Sequence, residues 1–202
     1  MPRTAHVSRN THETQIDVVL SLDGGPAEVS TGVGFFDHML HHVSKHGRLG
    51  LKVVAQGDTH IDDHHTVEDV GIALGEALVK AIGDKHGIER YGHAVVPMDE
   101  ALAQCTVDLS GRPHLVFAID FKPTDSAGPA LVGESIGRFD LQLVREFMQA
   151  LANHARMNLH VTAPYGDNNH HLAEAAFKAL GRALRQAVAI TGDELPSTKG
   201  AL

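Results

Sequence analysis

Two short motifs carry the residue types that could do chemistry in this chain. Each reads His-His-x-x-Glu, at residues 64–68 and again at residues 170–174. On a helix, the Glu lies beside both His residues because positions three and four apart share a face, whereas adjacent His side chains diverge by about 100°. Adjacent histidines therefore suit two different metal ions. A single motif would also fit a solvated helix start, but its recurrence predicts a metal site enclosed by two helices that a pseudo-twofold axis brings together.

A further ligand for each motif is expected from the preceding helix. His38 precedes His64 by 26 residues, and Glu146 precedes His170 by 24. A carboxylate can bind the same ions as an imidazole, so the symmetry of the ligand set is kept. Imidazole and carboxylate ligands without thiolate favour manganese, iron or catalytic zinc over a structural zinc site. The alternative for Glu146 is a solvated helix carboxylate beside Arg145.

The two motifs belong to an internal repeat, because the segments before them also align. Residues 45–53 align with residues 153–161 at an offset of 108, and the motifs themselves align at an offset of 106. Each half is predicted to contain alternating strands, a helix, one more strand and a second helix. We therefore predict an α+β fold built by tandem duplication, with two pseudo-twofold-related lobes in one compact catalytic domain over 1–202. The halves are expected at about 1–92 and 93–202.

Local patterns place the elements that position these residues. Asp37 is expected to cap the first helix, and Asp62 or Asp63 the second. Alternation and turn residues predict strands at 15–22, 49–55, 103–109, 114–121 and 158–163. Apolar residues three and four apart predict helices at about 37–46, 63–83, 141–154 and 170–189. The segment 122–134, rich in Pro, Gly and Ser, is predicted to be a loop.

Composition limits the class of protein. The formal charge of −8, with scattered Lys and Arg, argues against a nucleic-acid partner and against an anionic membrane surface. No apolar run is long enough to span a bilayer, and the N-terminus has no export pattern. The single Cys105 excludes an intrachain disulfide and favours a reducing compartment, so the cytoplasm is expected. The 16 His residues are dispersed, which a purification tag does not explain, and they favour metal or acid-base chemistry.

Five segments are specific in combination: 35–40 (FFDHML), 57–69 (GDTHIDDHHTVED), 108–113 (DLSGRP), 170–175 (HHLAEA) and 196–200 (PSTKG). Together they resemble the motifs of imidazoleglycerol-phosphate dehydratases, a family of enzymes of histidine biosynthesis. The resemblance runs essentially from end to end, so only the dehydratase is expected, without the phosphatase domain that is fused to some members. It implies dehydration of D-erythro-imidazoleglycerol phosphate to imidazole acetol phosphate.

The resemblance also implies a cofactor and an assembly. It implies two Mn(2+) ions per active site, and a homo-oligomer of 24 subunits with sites between neighbouring chains. The implied metal ligands are His38, His64, His65, Glu68, Glu146, His170, His171 and Glu174, with Glu146 where many members carry His. The candidate substrate-binding residues are Glu13, His38, His46, Arg90, Arg112, Lys178, Ser197, Thr198 and Lys199. Arginine and lysine side chains are suited to a phosphate monoester, although a solvated turn and a loose tail would explain the same residues.

The implied reaction needs both charge stabilisation and proton transfer. The proton to be removed lies next to an imidazole, so it is poorly acidic unless the ring accepts negative charge. Two metal ions on the ring nitrogens would stabilise an imidazolate and let it expel the hydroxyl group. The candidates for general base and general acid are Glu13, Glu174, His41 and His42, which the sequence alone does not rank.

Two other functions would fit parts of this pattern. A two-metal phosphatase would use the same phosphate contacts, but bridging carboxylates rather than so many imidazoles are expected to activate its water. A metal-storage or interaction oligomer without catalysis would need neither Arg112 nor Lys199.

Overall fold

The first half of the chain folds into a four-stranded sheet with two helices against its inner face. A computed structural model describes residues 3–122 and 135–200. The strand order is β1-β2-β4-β3, in which β3 runs parallel to β4 and the other pairs are antiparallel. The parallel pair is joined through a helix, as a parallel crossover requires. The elements are β1 (Thr4–Asn10), β2 (Thr14–Ser21), β3 (Ala27–Ser30), α1 (Gly34–Gly47), β4 (Gly50–Gly57) and α2 (His64–Ile82).

The second half repeats this topology. Its strand order is β5-β6-β10-β7, and β7 runs parallel to β10. Apart from a short hairpin formed by β8 and β9, each element has a counterpart in the first half. The α+β fold with duplicated halves is therefore confirmed. The elements are β5 (Tyr91–Met98), β6 (Ala101–Asp108), β7 (His114–Ala118), β8 (Ser135–Ile136), β9 (Phe139–Asp140), α3 (Gln142–His154), β10 (Asn158–Tyr165) and α4 (Asn169–Ala187).

The helices of the two halves pack on each other between the two sheets. Helix α2 contacts β1 and β2 on one side and α3 on the other, while α4 contacts β5 and β6 on one side and α1 on the other. Strand residues alternate between this interior and the outer surface. Fully buried aromatic rings fill the centre, and they come from both halves: Phe36, Phe139, Phe147 and Phe177. The two halves thus share one core.

Most of the predicted elements are confirmed, with shifts of a few residues at their ends. The predicted helix at 141–154 is α3, and the predicted strand at 158–163 is β10. Strands β1, β3 and β5 had no predicted counterpart. The predicted strand at 114–121 is shorter and ends at Ala118. Of the predicted loop at 122–134, residues 123–134 lie outside the described residues.

The start of α1 differs from the prediction. The residue before the helix is Val33, and Asp37 lies inside the first turn rather than capping it. Its Oδ1 instead accepts hydrogen bonds from the backbone N–H (2.9 Å) and the hydroxyl (2.5 Å) of Thr31, so it fixes the loop that leads into the helix. At the start of α2, the Asp62 carboxylate accepts a hydrogen bond from the His64 N–H at 2.8 Å, whereas Asp63 makes no side-chain cap bond.

Glycines set the distance between helices of opposite halves. A Cβ on Gly75 of α2 would lie 2.7 Å from the Ala155 backbone nitrogen, and one on Gly181 of α4 would lie 2.7 Å from the Val43 carbonyl oxygen. The two glycines are repeat equivalents, 106 residues apart.

None of the described helices combines the length and the apolar character needed to cross a membrane.

We expect Gly75→Ala and Gly181→Ala each to destabilise the fold. The added methyl group meets backbone atoms of the opposing helix, and overpacking of this kind costs about 1–3 kcal/mol, against a helix-propensity gain of at most about 1 kcal/mol. The melting temperature, followed by circular dichroism, should fall for both variants. Gly34→Ala in α1 is the control, because a Cβ there meets nothing within 4 Å. Equal melting temperatures for Gly181→Ala and Gly34→Ala would contradict the role of the glycines.

Candidate metal centre and active site

The first group of functional side chains lies where α1 crosses the N-terminal half of α4. We call it the α1–α4 cluster, formed by His38, His42, His170, Glu174 and Lys178. The Glu174 Oε2 atom lies 3.1 Å from His170 Nε2 and 3.4 Å from His38 Nε2. Its Oε1 atom lies 2.6 Å from Lys178 Nζ and 3.5 Å from His42 Nε2. Spacing of four residues on each helix stacks these side chains on one face.

This cluster has the donor atoms of a metal site. One ligand atom each from His38, His42 and Glu174 all lie within 4.8 Å of one another. His38 and His42 Nε2 are 3.2 Å apart. The structure thus adds His42, predicted only as an acid or base, to the side chains that could ligate an ion.

The charge state of the cluster also fits a metal site. Burial alone raises the pKa of Glu174, but the hydrogen bond from Lys178 and the neighbouring His42 outweigh it and lower this pKa to about 2. Burial lowers the pKa of His42 to about 4, so its ring is neutral at pH 7. Ionised carboxylates and neutral imidazoles are the forms that bind metal.

A second group of side chains, the α2–α3 cluster, consists of His64, Glu68 and Glu146. His64 Nε2 lies 3.7 Å from Glu68 Oε2. His64 and Glu146 line the same pocket of about 390 Å³, together with Asp62, Asp63 and Arg138 among others. Glu146 Oε1 lies 3.9 Å from Arg145 Nη1, and its side chain is about one-third exposed. Glu146 is therefore partly buried, at a pocket that it shares with His64 of the first motif.

Candidate ligands of each half lie beside the motif of the other half. His38 of the first half contacts Glu174 of the second motif, and Glu146 of the second half lines the same pocket as His64 of the first motif. In the two described segments of one chain, no hydrogen bond, ion pair or ring contact joins the motif at 64–68 to the motif at 170–174. One chain therefore presents two separate, pseudo-equivalent half-sites.

The second histidine of each motif is held by carboxylates that the sequence analysis did not identify. His65 Nδ1 lies 3.0 Å from Asp58 Oδ2, and His171 Nδ1 lies 2.7 Å from Glu100 Oε2. Hydrogen bonding to Asp58 raises the pKa of His65, and hydrogen bonding to Glu100 raises that of His171. The hydrogen bond from His171 also lowers the pKa of Glu100 to about 2.

Glu100 is the repeat equivalent of Glu13. Strand register pairs Ser21 with Gly50 and Asp108 with Asn158, so residues of the first hairpin correspond to residues 87 positions later. Glu13 Oε1 lies 3.9 Å from His65 Nε2. The sequence similarity between the halves covers residues 45–53 and the motifs but does not reach the two hairpins, so their correspondence was not predicted.

His41 and His46 lie on α1 beside the α1–α4 cluster. His41 is exposed and lines a pocket of about 660 Å³ together with His38 and His42. The His46 ring stacks on the His42 ring with centroids 5.7 Å apart. Burial lowers the pKa of His46. Of the two adjacent histidines proposed as acid or base, His42 is in the cluster and His41 borders it.

The candidate phosphate-binding residues lie at the end of the second sheet where β6 ends. Arg90 donates hydrogen bonds to both carboxylate oxygens of Asp108, at 2.7 and 3.3 Å, and to the Pro196 carbonyl oxygen at 2.8 Å. It therefore ties the C-terminal segment to the end of β6. Arg112 lies in the exposed turn after β6, where the Asn158 side chain holds its carbonyl oxygen at 2.6 Å.

The C-terminal segment 196–200 ends in a turn. The Ser197 hydroxyl accepts a hydrogen bond from the Lys199 N–H at 3.2 Å, and its carbonyl accepts one from Gly200. Thr198 and Lys199 are exposed.

The two ends of the second sheet are far apart. Glu100 and His171 lie where β6 begins, and Arg90 binds Asp108 where it ends. Eight residues of β6 span about 25 Å at 3.3 Å per residue. The α1–α4 cluster lies at the first end, because Lys178 Nζ is 3.4 Å from Met98 Sδ. The α1–α4 cluster and the phosphate-binding candidates of one chain therefore do not adjoin.

Comparison with known proteins gives consistent matches over the full chain. The sequence profile of the family described as imidazoleglycerol-phosphate dehydratase matches residues 31–184. The imidazoleglycerol-phosphate dehydratase of Geobacillus kaustophilus is 55% identical over 205 residues, which cover all of both chains. The Staphylococcus aureus enzyme structure has a TM-score of 0.81 at 40% identity, covering 93% of this chain and 99% of that one. The Pyrococcus furiosus structure, in complex with (S)-C348, has a TM-score of 0.82 at 35% identity, covering 97% and 100%.

Lys178 should stabilise the fold by compensating Glu174, whose side chain is only 8% exposed. In metal-free protein, we expect Lys178→Met to cost about 1–3 kcal/mol, because a buried carboxylate loses its closest cation. Combining it with Glu174→Gln should recover much of this loss, since no charge is then left without a partner. Melting temperatures of the two single variants and the double variant give the interaction energy. Strictly additive losses would show that the two side chains do not stabilise each other.

Proposed function

Since the chain belongs to the imidazoleglycerol-phosphate dehydratase family and so catalyses the dehydration step of histidine biosynthesis, we propose that it does so at a site with two Mn²⁺ ions. The observation that carries this proposal is the α1–α4 cluster, in which imidazole and carboxylate ligand atoms converge within 4.8 Å. Ligands of this mixed type suit manganese and leave room for substrate.

The orientation of Glu174 supports a metal at this cluster. Lys178 occupies one carboxylate oxygen, while the other oxygen faces His38 and His170. A carboxylate that is already held in this way loses little conformational entropy when it binds an ion. We propose that His38, His170 and Glu174 contribute to one ligand set, and that His64, Glu68 and Glu146 contribute to the equivalent set. Adjacent histidines are proposed to bind different ions: His65 binds a different ion from His64, and His171 a different ion from His170.

We further propose that each active site is shared between chains of a homo-oligomer of 24 subunits. A complete site needs metal ligands and phosphate donors together, yet in one chain they lie at opposite ends of the second sheet. The two half-sites of one chain are also separate. A neighbouring chain can supply the missing part through a repeated interface, as in closed symmetric assemblies.

The proposed roles divide between charge and proton transfer. When bound, the metal ions supply positive charge to the imidazole ring of the substrate, which makes the neighbouring carbon more acidic. Glu13 is exposed near His65 and is proposed as the general base, with Glu174, His41 and His42 remaining as candidates for the acid. Arg112, Ser197, Thr198 and Lys199 are proposed to bind the phosphate, and Arg90 to hold their segment in place as well. Lys178 and His46 border the ligands and are proposed to contact the substrate.

The direct test is loss of imidazoleglycerol phosphate and formation of imidazole acetol phosphate, with and without added Mn²⁺. Activity should disappear after chelation and return with Mn²⁺. Release of inorganic phosphate instead would favour a two-metal phosphatase.

We place the enzyme in the cytoplasm, in keeping with a biosynthetic role and a single, buried cysteine.

Glu146→Gln should remove about one metal ion per site and most of the activity. The change keeps the size of the side chain but removes its charge, which weakens ligation. Glu146→His restores a nitrogen donor and should recover part of both. Elemental analysis and turnover measure the effect. Glu76→Gln is a matched control, because Glu76 is a half-exposed helix carboxylate whose ion pair among the described residues is with His154. Full occupancy and near-normal turnover in Glu146→Gln would mean that Glu146 is not a ligand.

A site shared between chains predicts complementation between two inactive variants. His170→Ala should disable the metal cluster, and Arg112→Ala the phosphate site. In particles assembled from equal amounts of both, about one quarter of the sites should combine an intact cluster with an intact phosphate site from another chain. Turnover of the mixed particles should therefore exceed that of either parent. If both parts came from the same chain, the mixture would show no gain.

A further inference from the structure

Glu100 connects the β5–β6 hairpin to the first turn of α4. Its Oε2 atom lies 2.7 Å from His171 Nδ1. Its Oε1 atom accepts hydrogen bonds from the backbone N–H groups of Asp167 (3.2 Å) and Asn168 (2.8 Å). Asn168 in turn caps α4, because its side-chain oxygen accepts from the N–H groups of His170 and His171. One carboxylate thus contacts both the histidine ring and the segment that positions it.

The contact decides which ring nitrogen of His171 carries the proton. An ionised carboxylate can only accept, so Nδ1 must be the donor in this hydrogen bond. In the neutral ring, Nε2 then has the free lone pair. A metal ion can bind only a nitrogen with a free lone pair, so the hydrogen bond selects the tautomer and fixes the ring plane.

The first half reaches the same result with a different residue. His65 Nδ1 is held by Asp58, which follows β4, at 3.0 Å. Glu13, the repeat equivalent of Glu100, instead lies 3.9 Å from His65 Nε2 and is 55% exposed. Because Asp58 already holds the His65 ring, Glu13 is not needed to position it.

We propose that Glu100 is a positioning residue that holds His171 with Nε2 free for metal binding. Its repeat equivalent Glu13 does not position a histidine, because Asp58 holds His65, and Glu13 can therefore act on the substrate. The inference rests on the proposed role of His171 as a metal ligand. It predicts that Glu100 acts through His171 and touches neither the metal nor the substrate.

The competing explanation is that Glu100 only braces the loop at 167–168. Glu100→Gln separates the two roles. The amide oxygen can still accept from the Asp167 and Asn168 N–H groups, but the amide NH₂ then faces Nδ1 and donates to it. This stabilises the tautomer with the proton on Nε2, which opposes ligation, and leaves the helix cap intact. Asp99→Asn is the matched control, because it removes a negative charge at the neighbouring position, 3.8 Å from His171 Nε2, without touching Nδ1.

The measurements are Mn²⁺ affinity by electron paramagnetic resonance, the visible spectrum of the Co²⁺-substituted protein, and the melting temperature of the metal-free protein. For Glu100→Gln we expect Mn²⁺ affinity at one of the two sites to fall about 10- to 100-fold, a changed Co²⁺ spectrum and an unchanged metal-free melting temperature. Asp99→Asn measures the effect of losing a nearby charge alone, and it should lose clearly less Mn²⁺ affinity than Glu100→Gln. Wild-type affinity in Glu100→Gln, an equal loss in Asp99→Asn, or a metal-free melting temperature that falls in Glu100→Gln would each overturn the proposal.

His171→Ala keeps this test distinct from that of the proposed function. If His171→Ala retains both ions, His171 is not a ligand, so its proposed role in the metal site and the Glu100 proposal both fail. If His171→Ala loses an ion while Glu100→Gln binds Mn²⁺ as the wild type does, the metal site stands and only the positioning role of Glu100 is rejected.

Discussion

The close packing of helices from opposite halves is the constraint on which the rest of the structure depends. At Gly181, α4 approaches the backbone of α1, and at Gly75, α2 approaches the end of α3. These contacts place each His-His-x-x-Glu motif beside a helix of the other half. If each motif packed only within its own half, His38 would not reach Glu174. The glycines therefore allow the close helix approach that brings candidate ligands of opposite halves together.

Duplication supplies two half-sites, but substitution has made them different. Lys178 and His42 stand in the α1–α4 cluster, whereas the corresponding positions in the α2–α3 cluster are the apolar residues Ile72 and Ala150. Glu174 is nearly buried and needs a nearby cation, while Glu68 is half-exposed, so its charge has less need of a partner. The duplicated fold thus keeps imidazole and carboxylate side chains in both clusters and changes the residues around them.

Local sequence patterns predicted the parts of this fold in which they were strong. Helices α2 and α4 have long apolar faces and start at the motif itself, and β6 and β10 alternate clearly. Strands β1 and β5 lie at sheet edges, and β5 contains Gly92 and Pro97, which weaken a strand pattern. Asp37 has the residue type of a helix cap, yet its carboxylate instead accepts hydrogen bonds from Thr31 in the loop before the helix. The exchange of ligands between halves was also beyond the sequence pattern, because spacing shows equivalence but not which helices pack together.

The equivalent hairpin carboxylates Glu13 and Glu100 are in different environments, and we propose different roles for them. A metal-bound histidine needs its other ring nitrogen held, or its tautomer and orientation are left to chance. In the second half the hairpin residue Glu100 meets this need at 2.7 Å, and it is therefore committed to His171. In the first half Asp58 holds the His65 ring from the loop after β4. Glu13, at the equivalent hairpin position, is therefore not needed to hold a histidine. Glu13 is exposed beside His65 and has no closer side-chain partner among the described residues, which is why we propose this hairpin carboxylate, and not Glu100, for proton exchange with the substrate.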